Sequence, residues 1–253
     1  MKDEREPPVR EAEAGDPGWS WHLDHLPWPE VGRILARDPR LIVPVGALDQ
    51  HGPHLPLGTN TFITESVATE LSRRRHVLLA PTFCYGVTSS RAESYAGSAG
   101  LRRKTLHRAM NELFAEWEDQ GIREFLVLTA HRHESHLDAL LMAMTWSART
   151  TVVNLLTIDT GDLLEGSPVT EHGGELETSL MLHLAPSRVR ENQVTDSVPD
   201  APSHRRYAGG GVSTPPPGSR GVLGNPSRAA ARKGEAVFRR YVETLERILG
   251  PDP

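Results

Sequence analysis

The stretch from Leu41 to Asn60 constrains this chain more than any other. Its opening run, Leu-Ile-Val-Pro-Val, is apolar, too short for a helix and bounded by turn-forming residues, which predicts a buried strand over 41–46. The residues that follow, Gly46 to Asn60, concentrate an acid, two imidazoles, three glycines and two prolines in one loop. A reactive loop at the carboxyl end of a buried strand is where α/β sheets place their chemistry. Asp49 and His51 stand two residues apart, so in an extended segment both side chains point to one face. A carboxylate beside an imidazole suits a borderline divalent cation.

Periodicity continues the pattern on both sides. Val31, Ile34 and Leu35 predict a short helix within 24–37. Phe62, Ile63, Val67 and Leu71 predict a helix over 61–75, which could start on an Asn60 cap. A second strand is expected at 76–80, then a glycine- and serine-bearing loop over 81–100. Leu106, Met110, Leu113, Phe114 and Trp117 form a helical stripe that ends at Gly121. A third strand, 125–128, runs into His131-Arg-His133-Glu134. The helix after it is expected to bury Leu137, Leu140, Leu141 and Met144.

A β-branched run predicts a fourth strand over 151–158, and a loop over 161–170 leads to a helix that Pro186 stops after Leu184. Residues 199–221, rich in proline and glycine, read as a surface excursion before a closing helix over 227–249. Strand and helix thus alternate four times. That argues a three-layer α/β/α fold with a mainly parallel central sheet, a single domain over 18–250 behind a disordered leader at 1–17.

Charge and cysteine content exclude several classes. The formal net charge of -5 gives no electrostatic reason to expect nucleic acid or an anionic membrane as partner. The clusters Arg73-Arg-Arg75 and Arg102-Arg-Lys104 read as solvated helix ends. The single cysteine, Cys84, excludes an internal disulfide, fits a reducing compartment and is read as structural. No apolar run approaches the ~20 residues of a membrane span and no secretory signal opens the chain, so a cytoplasmic protein is expected. Gly-x-x-x-x-Gly-Lys, Gly-x-Ser-x-Gly and His-Glu-x-x-His are all missing, which removes the main supports for phosphate-loop, serine-hydrolase and zincin chemistry.

Three loops carry metal-capable residues: Asp49 and His51, then His131 and His133, then His172, Glu175 and Glu177. Each pair alone is weak, but their convergence on one edge of the sheet would make a site. At this point the chain resembles the creatininase (creatinine amidohydrolase) family over roughly residues 30–249. Four stretches carry the resemblance: Val43 to Asn60, Ala130 to Glu134, His172-Gly-Gly-Glu175-Leu-Glu177-Thr-Ser, and Gly221-Val-Leu-Gly-Asn-Pro226.

The resemblance implies a homo-hexamer with a binuclear Zn or Mn site that activates water against a cyclic or linear amide. By position the ligands would be Asp49 (Glu in the family), His51, Asn60 (a bridging Asp in the family), His131 and Glu175, with His133 as a replacement ligand. Asn60 offers one acceptor oxygen and no charge, so one tight Zn, Mn or Fe ion is expected, with a second weak or absent. Glu177, Glu134 and His133 are the candidate catalytic groups. The expected partner is a small-molecule amide. Two other readings stay open: a non-hydrolytic metal-assisted step, such as ring closure in specialised-metabolite biosynthesis, and a binding scaffold without turnover.

Overall fold

The computed structural model describes residues 21–88, 95–166, 171–198, 218–251 and 253. The expected leader at 1–17, much of the 199–221 excursion and parts of the loops at 81–100 and 161–170 lie outside them.

Four strands, β1 (Arg40–Pro44), β2 (Leu78–Leu79), β3 (Glu124–Thr129) and β4 (Arg149–Asn154), form one sheet in the order β2-β1-β3-β4. Every pair is parallel; Leu41 faces Leu78, Val43 faces Val127 and Val127 faces Val152. Parallel neighbours need crossover segments, and helices supply them. In chain order these are α1 (Trp28–Leu35), α2 (Thr59–Arg75), α3 (Arg103–Asp119), α4 (Glu134–Leu141), α5 (Glu175–Leu184) and α6 (Ala231–Leu249).

Strand alternation sorts the apolar residues into two cores. Leu41, Val43, Leu78, Phe125 and Val127 face Leu106, Met110 and Phe114 of α3 and Ala139 and Leu140 of α4, with Val31, Ile34 and Leu35 of α1 at the margin. Ile42, Leu79, Leu126 and Leu128 face the other way. They meet Ile63, Val67 and Leu71 of α2, Leu176 and Leu180 of α5, and Val237, Tyr241 and Leu245 of α6. β1 is therefore buried on both faces, as its unbroken apolar run requires. The expected three-layer α/β/α fold is the observed one.

Several local expectations fail for identifiable reasons. α2 begins at Thr59 behind an N-cap at Gly58, so Asn60 lies within the first turn and caps nothing. β4 stops at Asn154, whose side chain accepts the Leu156 N–H at 3.1 Å and turns the chain into a short 3-10 helix, Leu155–Thr157. α4 ends at Leu141, so the helical phase that would bury Met144 is lost. Leu141 (66%), Met142 (55%), Met144 (73%) and Trp146 (93%) are all open to solvent. Leu113 is at the surface too, and Glu118, five residues later on α3, is buried instead, accepting N–H bonds from Trp146, Ser147 and Ala148. Cys84 is exposed rather than structural. Among the described residues no helix is long and apolar enough to cross a membrane.

α5 and α6 cross with their backbones in close contact. A Cβ on Gly234 of α6 would drive into the backbone carbonyl of Ser179 on α5. Alanine normally favours a helix over glycine by about 1 kcal/mol. Here overpacking dominates, so Gly234→Ala should lower stability by about 1–3 kcal/mol in urea denaturation. Unchanged or increased stability would show that the two helices can part without cost.

Candidate metal centre

From β1 the chain passes to β2 on one side of the sheet, while β3 and β4 lie on the other. A crevice opens at such a reversal, outside the carboxyl ends of the strands. Three segments meet there: the loop after β1 with the first turn of α2, the 130–133 segment after β3, and residues 171–177 at the entry to α5.

The Asn60 side chain joins the first two. Its Oδ1 lies 2.8 Å from His51 Nε2 and its Nδ2 lies 2.7 Å from His131 Nδ1. The outer imidazole nitrogens reach backbone carbonyls, His51 Nδ1 to Asp49 O at 2.9 Å and His131 Nε2 to Val87 O at 2.9 Å. Both ends of this chain can only accept, and a carboxamide offers one donor and one acceptor. One of the two imidazoles must therefore carry two protons, whichever way the amide is turned.

Glu177 selects which. Its Oε1 lies 3.5 Å from His51 Nε2. Burial opposes the charge on His51, but the Glu177 carboxylate outweighs it and raises the His51 pKa to about 9. Burial opposes the Glu177 charge as well, and the His51 cation overcomes it, holding that carboxyl well below its usual range. His131 is the neutral member: burial, then the neighbouring His136, keeps it well below the ordinary histidine value.

The third segment closes around this pair. Glu177 Oε2 accepts the Gly173 N–H at 2.6 Å. Gly173 has a φ of 60°, and a Cβ there would stand 2.7 Å from the His51 carbonyl oxygen, so only glycine fits the turn. His172 donates Nε2–H to Gln50 O at 2.6 Å, which leaves its Nδ1 as the unprotonated nitrogen, and its ring lies tilted against His51 with centroids 4.5 Å apart. The donor atoms of His51, His172 and Glu177 lie within 4.8 Å of one another. Two imidazoles and a carboxylate, mutually close, with His51 and Glu177 buried and His172 half-buried, are a donor set that fits Zn, Mn or Fe.

The remaining candidates are placed differently. His131 and His133 stack with centroids 6.0 Å apart, and His133 Nδ1 is buried without a hydrogen-bond partner among the described residues. Asp49 accepts the Gln50 N–H and acts on His51, His131 and His133 through its charge. Glu134 is exposed in the first turn of α4. Glu175 is buried away from the His51 group. Its carboxylate holds Lys233 Nζ at 2.5 Å and the N–H groups of Glu165 and Gly166.

Sequence reasoning passed over Arg132 and Glu171. Glu171 is buried and accepts the Leu176 N–H at 3.2 Å; burial, with the charges of Glu175 and Glu177, raises its pKa to about 7. Its one visible signal was an acid directly ahead of the His172-Gly-Gly-Glu175 motif.

The His51–Glu177 pair gives the metal-free protein a defined pH response. The His51 pKa is raised from 6.5, so its stabilisation is complete below about 6.5 and is lost as pH rises through about 9. The Glu177 pKa is lowered from 4.5, so its share is present above 4.5 and is lost only in acid. The Tm of chelator-treated wild type should therefore fall between pH 6.5 and 9. Glu177→Gln should flatten that decline and bring the His51 titration seen by NMR down toward its ordinary value. A wild-type Tm that is level over this range would refute the pair.

A family model described as creatinine amidohydrolase matches residues 24–249. The chain is 31% identical over 237 residues to a mycofactocin precursor peptide peptidase of Mycobacterium ulcerans, covering 85% of this chain and 88% of that protein. It is 26% identical over 247 residues to the creatinine amidohydrolase of Pseudomonas putida, covering 88% and 94%. A manganese creatininase structure superposes with a TM-score of 0.73 at 23% identity, over 92% of this chain and all of that one, which shows the shared fold. A family match over residues 24–249 establishes that this chain belongs to the creatininase family.

Proposed function

We propose that this protein hydrolyses an amide C–N bond with one tightly bound divalent cation, Zn, Mn or Fe, held by His51, His172 and Glu177 with Asn60 Oδ1 beside them. The observation that carries the reading is the surroundings of His51 Nε2: Asn60 Oδ1 and Glu177 Oε1 converge on it and both can only accept. A proton there stands where a cation fits. When bound, such an ion polarises the scissile carbonyl and lowers the pKa of a water molecule. The relatives include a precursor-peptide peptidase and a creatinine amidohydrolase, and this supports a scissile group that is either a linear peptide bond or a small cyclic amide.

With Glu177 at the cation and Glu134 at the surface, Glu171 is the carboxylate suited to take the proton from the attacking water. Its pKa near 7 is matched to that task, and with Oε2 on the Leu176 N–H its Oε1 is the accepting atom. Asp49, His131 and His133 form the weaker second group. There the Asn60 N–H occupies the His131 Nδ1 lone pair that a second ion would need.

Metal analysis after dialysis should give one equivalent for wild type and clear loss in His51→Ala and Glu177→Gln. His131→Ala and Glu175→Gln should retain it, the latter at reduced stability because Lys233 loses its buried partner. Asn60→Asp should raise occupancy toward two. Two full equivalents in wild type would overturn the one-ion reading, and equal content in wild type and His51→Ala would overturn the site.

The apolar strip from Leu141 to Trp146 supports a closed assembly, for which we take the hexamer, since soluble monomers rarely leave such a patch uncovered. Light scattering should give a mass several times 27.9 kDa, reduced in a Met144→Lys, Trp146→Glu double variant. A wild-type monomer would refute the assembly.

A further inference from the structure

Arg132 sits between His131 and His133, yet its side chain serves neither. Both Nη atoms of its guanidinium are shielded from water, and neither finds an acceptor among the described residues. Buried arginine is ordinarily paired, because a desolvated cation without hydrogen bonds is strongly unfavourable. The charges it acts on locate it: Glu171 and Glu177 at the entry to α5, and Tyr241 of α6. Neither carboxylate takes its N–H groups. Glu177 faces His51 and the Gly173 N–H, and Glu171 accepts from Leu176. The Tyr241 hydroxyl, fully buried, is a second group in the same region with no hydrogen-bond partner among the described residues.

Among the described residues, two buried hydrogen-bonding groups, one of them cationic, are thus left unmatched beside the proposed cation, within the field of the same acids. We propose that Arg132, supported by the Tyr241 hydroxyl, receives a carboxylate of the substrate, so that the enzyme acts on an amide that also bears a carboxylate, such as an N-acyl amino acid or the end of a peptide. The planar guanidinium matches a carboxylate through two parallel N–H bonds. A phosphate dianion fits less well, since Glu171, Glu177 and Asp49 already supply negative charge nearby. That the carboxylate belongs to an amide substrate rests on the hydrolase reading above; the anion pocket itself does not.

The test is titration calorimetry with N-acetylglycine and N-acetylglycinamide, which differ only in carboxylate against carboxamide. Wild type should bind the carboxylate at least about tenfold more tightly. Arg132→Gln should abolish that preference with metal content unchanged, Arg132→Lys should keep part of it, and Tyr241→Phe should weaken it. The lysine and phenylalanine variants keep the comparison informative if the glutamine variant fails to fold. The preference should persist after chelation. One that disappears with the cation places the carboxylate on the metal and overturns the proposal, as do equal affinities in wild type or an undiminished preference in Arg132→Gln. A wild type that holds no metal but still prefers N-acetylglycine through Arg132 would sink the hydrolase reading and leave the anion pocket standing.

Discussion

One carboxamide sets the electrical state of this site. Asn60 stands between two imidazoles whose far ends are tied to backbone carbonyls, and because an amide is a donor on one side and an acceptor on the other, the two histidines cannot be alike. A carboxylate at the same place would accept from both and make them equivalent, two positions ready for two cations. The amide instead makes one side resemble a cation and the other a filled lone pair. Glu177 then chooses the His51 side by its charge. The tautomers and the charge on His51 follow from that asymmetry, and the proposed place for an ion rests on it.

The sheet makes such a buried polar chain sustainable. β1 and β3 are central and covered on both faces, so the segments leaving their carboxyl ends start from fixed positions. Thr64 of α2 adds a further tie, accepting the Ala130 N–H while donating to the Asn60 carbonyl. Val87 is gripped from both sides, its N–H by His136 Nδ1 and its carbonyl by His131. Few of these groups are free to rotate toward another partner, which is the condition for a histidine pair to keep a defined protonation pattern away from water.

Much of this was legible in the sequence because it depends on local periodicity. The apolar run at β1, the stripes of α2 and α6 and the alternation of strand and helix are each readable within a dozen residues. What was not legible depends on distant neighbours. Glu175 and Glu177 are two apart on a helix, which sets them about 200° around its axis. Which one faces the histidines is settled by Lys233, far along the chain, which takes Glu175. The role of Asn60 needed His131 in place, and Met144 required knowing that α4 ends three residues earlier. Arg132 gave no periodic signal, since what sets it apart is a guanidinium that finds no acceptor among the described residues.

Lys233 also orders events in time. It sits in the first turn of α6 and fixes the opening of α5 through Glu175, while Tyr241, two turns further on, closes the interior beside Arg132. All four strands precede α6 in the chain, so until α6 is made one face of the sheet lacks part of its cover and Glu175 lacks its counter-charge. The pairing of His51 with Glu177 is thus finished by the last described helix of the chain, and a ribosome still making α6 holds those groups without the partner that fixes the α5 entry.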